Sequence, residues 1–295
     1  MPVNRHGLSR TIPEEIKRRV RAQSKFGCVV CRCAVYQYEH IDPEFIDATE
    51  HNPDAMCLLC GGCHDLVTRG RLSKEAVLRE YQVVQSSPTV EEPFEKLDLT
   101  SRQLTVKLGT AIFHNASSLI RINGEDVLAI EAPLDGSSFP KISGLFTDNH
   151  GRRIFEIQDN VWFGSLDLWD IVIAGRTATF RTQAGHIALE FEINPPNELA
   201  ITKLDMRFGE AHIVCDAEAL LVGRVSENGN KYIGIGRIEA INADAAVSVN
   251  TSNAKVEFRG VSIIGGEGVE LQGAGIRIGY GSPSMTVRDL QVWEV

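Results

Sequence analysis

The apolar positions of this chain change period once. Up to about residue 81 they recur at helical spacing around short extended stretches; beyond about residue 100 they alternate with polar ones. Thr11-Ile12-Pro13-Glu14 reads as a helix start, with Thr11 as the cap, Pro13 in the first turn and Glu14 and Glu15 complementing the helix dipole. Ile16, Val20 and the stretch from Ala22 to Phe26 give that helix an apolar side that stops at Gly27. Val35, Tyr36 and Tyr38, within the stretch from Val29 to Ile41, predict a short hairpin. The run from Ala55 to Leu59 predicts an apolar strand, and Ser73 caps another helix entering Val77. Hairpin, strand and helix in that order make a compact ββα-like unit over residues 1–81.

Residues 82–100 turn polar, with Ser86-Ser87-Pro88 and Glu91-Glu92-Pro93, and predict a linker. Residues 101–295 then read as all β. Leu104, Val106 and Leu108 alternate with polar residues, and Asn123-Gly124 between two apolar runs is a hairpin signal. Further candidate strands follow at regular spacing as far as Ile193. Between Val256 and Gly281, short alternating pieces punctuated by glycines predict β-solenoid-like coils or tight hairpins. Those glycines do not make a phosphate loop, because no Gly-Lys-Ser/Thr ending and no following helix accompany them. The expected class is α+β: a small ββα unit that depends on a metal, then an all-β sandwich or barrel in which Trp162, Phe163 and Trp169 fill the core.

At 295 residues, 43% hydrophobic and 23% charged, the composition is that of an ordinary globular protein of two domains. No apolar h-region follows the first ten residues and nowhere do eighteen apolar residues run together, so a soluble, cytoplasmic protein without membrane contact is expected. The net charge of −9 argues against a chain coated along its length by nucleic acid. Residues 1–80 nevertheless hold 12 Lys/Arg against 11 Asp/Glu, so any contact with DNA falls there. The candidates are Lys17, Arg18, Arg19, Arg21 and Lys25.

Six of the seven cysteines lie between Cys28 and Cys63, the distribution of a metal cluster in a reducing compartment and not of a disulfide framework. Cys28-x-x-Cys31 and Cys60-x-x-Cys63 can place four thiolates around one tetrahedral Zn²⁺. Cys57-Leu58-Leu59-Cys60 offers a competing register. Gly61-Gly62 lets backbone amides turn toward sulfur whereas Leu58-Leu59 calls for burial, so Cys33 and Cys57 are assigned as packed thiols. Cys215 is expected to be a small buried hydrophobe. His51 on the acidic loop is expected to be solvated, with a further metal ligand as the alternative, and His6, His114, His150, His186 and His212 show no partner spacing.

Cys28/Cys31, then Glu39-His40-Ile41-Asp42-Pro43, then Leu59-Cys60-Gly61-Gly62-Cys63-His64 resembles the HNH family of endonucleases in its four-cysteine zinc form, over about residues 12–80. The resemblance implies that His40 is the general base and that Glu39 and His64 hold one Mg²⁺ or Mn²⁺ against the scissile phosphate of DNA, giving a 5′-phosphate and a 3′-hydroxyl. Zinc would only support the platform. Two features depart from the pattern. Ala55 stands where the family's orienting Asn is usual, with Asp54 and Asn52 nearby, and the loop that should face DNA carries Asp42, Glu44, Asp47, Glu50 and Asp54. The competing expectation is a catalytically degenerate, zinc-stabilised module that binds nucleic acid or protein. In a third, the β domain is the main actor.

Overall fold

The computed structural model describes residues 3–131, 139–226, 229–235, 238–241, 245–250, 255–259, 277–278 and 292–294. The chain forms two compact units, one of Met1–Glu95 with Phe163–Ile173, the other of Lys96–Trp162 with Ala174–Val295.

In the first unit, α1 (Glu14–Gln23) starts after Pro13, whose φ of −57° already suits a helix; no side chain caps it, so Thr11 does not play that part. The chain then bends tightly around the first cysteine pair, with Cys28 N–H donating to Cys33 O and Arg32 N–H to Cys28 O, both at 2.9 Å. That bend prevents the hairpin expected within 29–41. Instead β1 (Gln37–His40) pairs antiparallel with β2 (Met56–Leu59) across the acidic loop, Gln37 facing Leu59 and His40 facing Met56.

All four residues of β2 are buried because both of its faces are covered. Met56 and Leu58 pack with Val20, Ile16 and Tyr38 on one face. Cys57 and Leu59 pack with Val77, Tyr81 and Val84 on the other. A strand covered on both faces reads as a continuous apolar run. α2 (Gly61–Thr68) follows at once, and α3 (Lys74–Ser86) opens under the Ser73 hydroxyl, which accepts from Ala76 N–H at 3.1 Å. α3 extends to Ser86, into the stretch whose composition suggests a linker.

The α+β class expected from the sequence is corrected by the element content: among the described residues three α-helices stand against 22 strands, so the chain is mostly β. The physical reason is that all three helices belong to one unit, whereas among the described residues most segments beyond Lys96 are strands with a strand partner.

In the second unit, Ser118–Ile122, Glu125–Glu131, Lys141–Thr147 and Arg153–Gln158 form an antiparallel meander. Asn123 and Gly124 turn its first hairpin at φ 53° and 92°, conformations that suit these two residue types. A second meander runs from Thr177–Gln183 through His186–Asn194, Glu198–Phe208 and Ala211–Cys215 to Leu220–Ser226. Phe155 of the first sheet meets Phe180 and Phe191 of the second at ring-centroid distances of 4.9 and 5.2 Å, with Trp162 fully buried beside them. Burying each such ring contributes about 1.5–3 kcal/mol. Phe163 and Trp169, expected in this core, belong to the first unit instead. The solenoid-like coils expected at 256–281 lie largely outside the described residues. Among the described residues no helix is long and apolar enough to cross a membrane.

Candidate metal centre

The Sγ atoms of Cys28, Cys31, Cys60 and Cys63 lie within 4.8 Å of one another, with Cys31 and Cys60 at 3.5 Å. A Zn–S bond of about 2.3 Å requires tetrahedral sulfur pairs about 3.8 Å apart, so the four are placed to hold a metal ion such as zinc. Cys57, the competing member of the second pair, is buried in β2. The two glycines do not choose the register by steric need, since a Cβ at Gly61 would meet nothing and one at Gly62 would come no closer than 3.9 Å, to Cys60 Sγ. Position chooses it: the four clustered sulfurs include that of Cys63 and not that of Cys57, and the start of α2 supports the pairing. Cys60 is the N-cap, its sulfur accepts from Cys63 N–H at 3.4 Å, and a thiolate is favoured at a helix N-terminus.

The donor chemistry fits a cation. Burial and neighbouring Cys28 push the Cys31 thiol up to about 12 and drive Cys63 upward as well. Cys60 goes the other way: burial opposes its ionisation, but the Cys63 N–H and the neighbouring thiols lower its pKa. Crowded sulfurs therefore resist losing all their protons until a divalent ion supplies the countercharge.

Arg32, which the sequence reading passed over, fixes the first knuckle. At φ 63° and only 6% exposed, it donates to the carbonyls of Ser24, Lys25, Gly27, Cys28 and Glu91 at 2.6–3.4 Å. Gly27 is required beside it, because a Cβ there would stand 2.9 Å from Arg32 O. Arg32→Ala would leave these carbonyls without their donor, and metal affinity is expected to fall by about 10–100-fold. Competition with a chromophoric chelator measures this, and unchanged affinity would show that the Arg32 hydrogen bonds do not support the cysteine cluster.

Glu39 and His40 leave β1 on opposite faces, as adjacent strand residues do. Glu39 shares the face of Cys57 and Leu59. Its carboxylate meets His64 Nε2 of α2 at 3.2 Å and also takes the Lys74 ammonium, which donates in addition to His40 O at 2.7 Å. His40 turns to the other face and meets His51, Nε2 to Nδ1, at 3.2 Å. Burial, with His51, Lys74 and Arg10 acting in the same sense and Glu39 against it, holds the His40 pKa down at about 4. Its imidazole is thus neutral at pH 7. The structure brings Glu39 and His64 together; it does not bring the His40 and His64 rings into contact. Ala55 takes part through its backbone, accepting from Ile41 N–H at 2.8 Å.

The basic face of α1 is largely committed within its own unit. Arg21 is 2% exposed and donates twice to Asp170, at 2.7 and 2.8 Å, and also to Tyr38 and Glu14. Arg18 stacks on Trp169 at 4.5 Å, Arg19 lies 3.5 Å from Asp54, and Lys17 lies 3.5 Å from Glu14. Lys25, just past the helix, is half-buried and offers its carbonyl to Arg32.

His186 and His212 prove to have partners far apart in sequence. Both donate toward Asp205, at 3.0 and 2.7 Å, and each also meets a hydroxyl, that of Thr182 or Tyr232. These two imidazoles, opposed by burial, hold the Asp205 carboxyl below its usual range. The register explains the second pair: Gly223 stands opposite both His212 and Tyr232 on the flanking strands, leaving room between them.

Fold and site together define a mostly β protein with a cluster of four cysteines near its N-terminal end that could hold a metal ion such as zinc. Compared with known proteins, the chain matches no family model, no curated protein and no solved structure.

Proposed function

We propose that the N-terminal unit is a zinc-stabilised HNH-type endonuclease centre that hydrolyses DNA phosphodiester bonds. One observation carries this reading: Glu39 and His64 meet at 3.2 Å directly beside the cysteine cluster, on a strand–strand–helix frame whose strand ends on His40. Zinc is the ion assigned to the four thiolates. Glu39 and His64, a carboxylate and an imidazole with the histidine partly exposed, are the pair assigned to Mg²⁺ or Mn²⁺. A divalent ion there would supply Lewis-acid stabilisation of the charge that develops on the phosphate.

In this reading His40 takes a proton from the attacking water as the bond from phosphorus to the 3′-oxygen breaks, leaving a 5′-phosphate and a 3′-hydroxyl. His40 leaves the last paired position of β1 on the face opposite Glu39, so this reading requires the scissile phosphate to reach round that end of the strand pair.

The rival reading is a zinc-stabilised binding module without catalysis. Lys74, already seated on Glu39 where a metal cation would compete with it, favours that reading. Nicking of a supercoiled plasmid with Mg²⁺ or Mn²⁺ decides between them. The parent is expected to nick, and His40→Ala to lose about 10²–10⁴-fold in rate, the ordinary worth of a general base. Glu39→Gln and His64→Ala should instead raise the metal concentration needed. No nicking by the parent with either metal, or equal nicking by all four proteins, would remove the nuclease reading.

A further inference from the structure

His51 lies on the acidic loop, yet it is 8% exposed and both of its ring nitrogens are occupied. Its Nε2 faces Ser9 O at 2.9 Å, and its Nδ1 faces His40 Nε2 at 3.2 Å. A backbone carbonyl can only accept, so His51 Nε2 carries a proton. In a neutral imidazole the other nitrogen then carries a lone pair, and Nδ1 accepts. His40 must therefore be the donor across the 3.2 Å contact, and its own lone pair is left on Nδ1.

The surroundings fix this arrangement. Phe45 stacks on His51 at 6.4 Å and tilts against His40 at 5.4 Å. The Asn4 amide donates to Phe45 O and Ala48 O at 2.6 Å each, while its side-chain oxygen accepts from His6 N–H and Leu8 N–H at 3.0 and 2.9 Å. Asn4 thereby ties the segment that presents Ser9 O to the loop that presents Phe45.

We propose that His51 is the positioning residue of His40: it accepts the His40 Nε2–H at its own Nδ1 and so fixes the tautomer whose basic nitrogen is Nδ1. The role in catalysis rests on the nuclease reading above; the tautomer does not. Without His51, His40 would be free to exchange tautomers and turn its lone pair away from the substrate, and Ala55 offers no side-chain acceptor to replace it.

The test uses the full chain labelled with ¹⁵N-histidine, with the His40 ring signals identified by their loss in His40→Ala. Long-range ¹H–¹⁵N correlation is expected to show the Nε2–H tautomer for His40 in the parent. His51→Asn, whose side-chain oxygen can stand near the former Nδ1, should keep it. His51→Gln, whose amide nitrogen can still donate to Ser9 O but whose only acceptor, the amide oxygen, sits one carbon further out than the former Nδ1, should lose it to a mixture. In the nicking assay His51→Gln should lower kcat by about 10–100-fold, the usual loss when an orienting partner is removed, with KM unchanged, and His51→Asn should restore it. An Nδ1–H tautomer in the parent, or an unchanged tautomer in His51→Gln, would overturn the proposal even if every variant nicks DNA. A parent with the Nε2–H tautomer that nicks nothing would overturn the nuclease reading and leave the role of His51 in place.

Discussion

Cys60→Ala is expected to unfold the N-terminal unit, the largest effect of any single substitution in this chain. Cys60 caps α2, contributes one of the four sulfurs and is packed against the core of its unit, so its loss removes a ligand and a helix start together. The four sulfurs tie the two cysteine pairs to the start of α2, and structural zinc supplies apparent binding free energy of about 10–16 kcal/mol. Elemental analysis should find one tightly held ion per parent chain and none in the variant. Far-UV circular dichroism should lose helix signal, because the described helices all belong to this unit. Acidification should release the ion from the parent as well, since the thiols that burial and crowding push upward regain their protons first. A variant that kept both metal and helix would refute the four-sulfur site.

Asp170→Ala is expected to cost about 3–5 kcal/mol, the range for breaking a buried ion pair from one side. Both partners are 2% exposed. Burial alone would lower the pKa of Arg21, but Asp170 and Tyr38 more than reverse it, so the guanidinium stays charged inside the unit. Without Asp170 that charge keeps only Tyr38 and the exposed Glu14. Urea denaturation followed by tryptophan fluorescence measures the loss, Trp169 being next in the chain. The double replacement Arg21→Met with Asp170→Leu should recover most of it, because an apolar pair needs no desolvation of charge. A single variant as stable as the parent would show that the pair contributes nothing.

The sequence showed the cysteine cluster because ligand spacing is local: two residues between the members of each pair, in a region that holds nearly all the cysteines. It showed α3 through Ser73 and the first hairpin of the β unit through Asn123-Gly124 for the same reason, since caps and tight turns are written in adjacent residues. It named two of the three helices and gave them too much weight in the class. Their start signals are as conspicuous as the strand patterns, but each belongs to a short segment, and the class depends on how much chain lies between such signals.

Side-chain partners were where sequence reading failed. Arg21 sat in a run of basic residues with nothing nearby to mark it as buried; its carboxylate arrives 149 positions later. Arg32 resembled any loop arginine until the carbonyls of the first knuckle closed around it. His51 looked solvated because its neighbours are acidic, and only the return of the N-terminal segment, anchored by Asn4, covered it. His186 and His212 showed no spacing because they meet Asp205 across strands whose register no local rule sets.

What the sequence determined by itself was the position of the four sulfurs, the switch from helical to alternating period, and the adjacency of Glu39 to His40. Each follows from near-neighbour chemistry that the chain carries into any fold. The tertiary structure decided that Glu39 faces His64 and Lys74 while His40 faces His51, and that the basic helix turns one of its arginines inward. Strand pairing and burial made those choices, and both depend on residues far apart in sequence coming together.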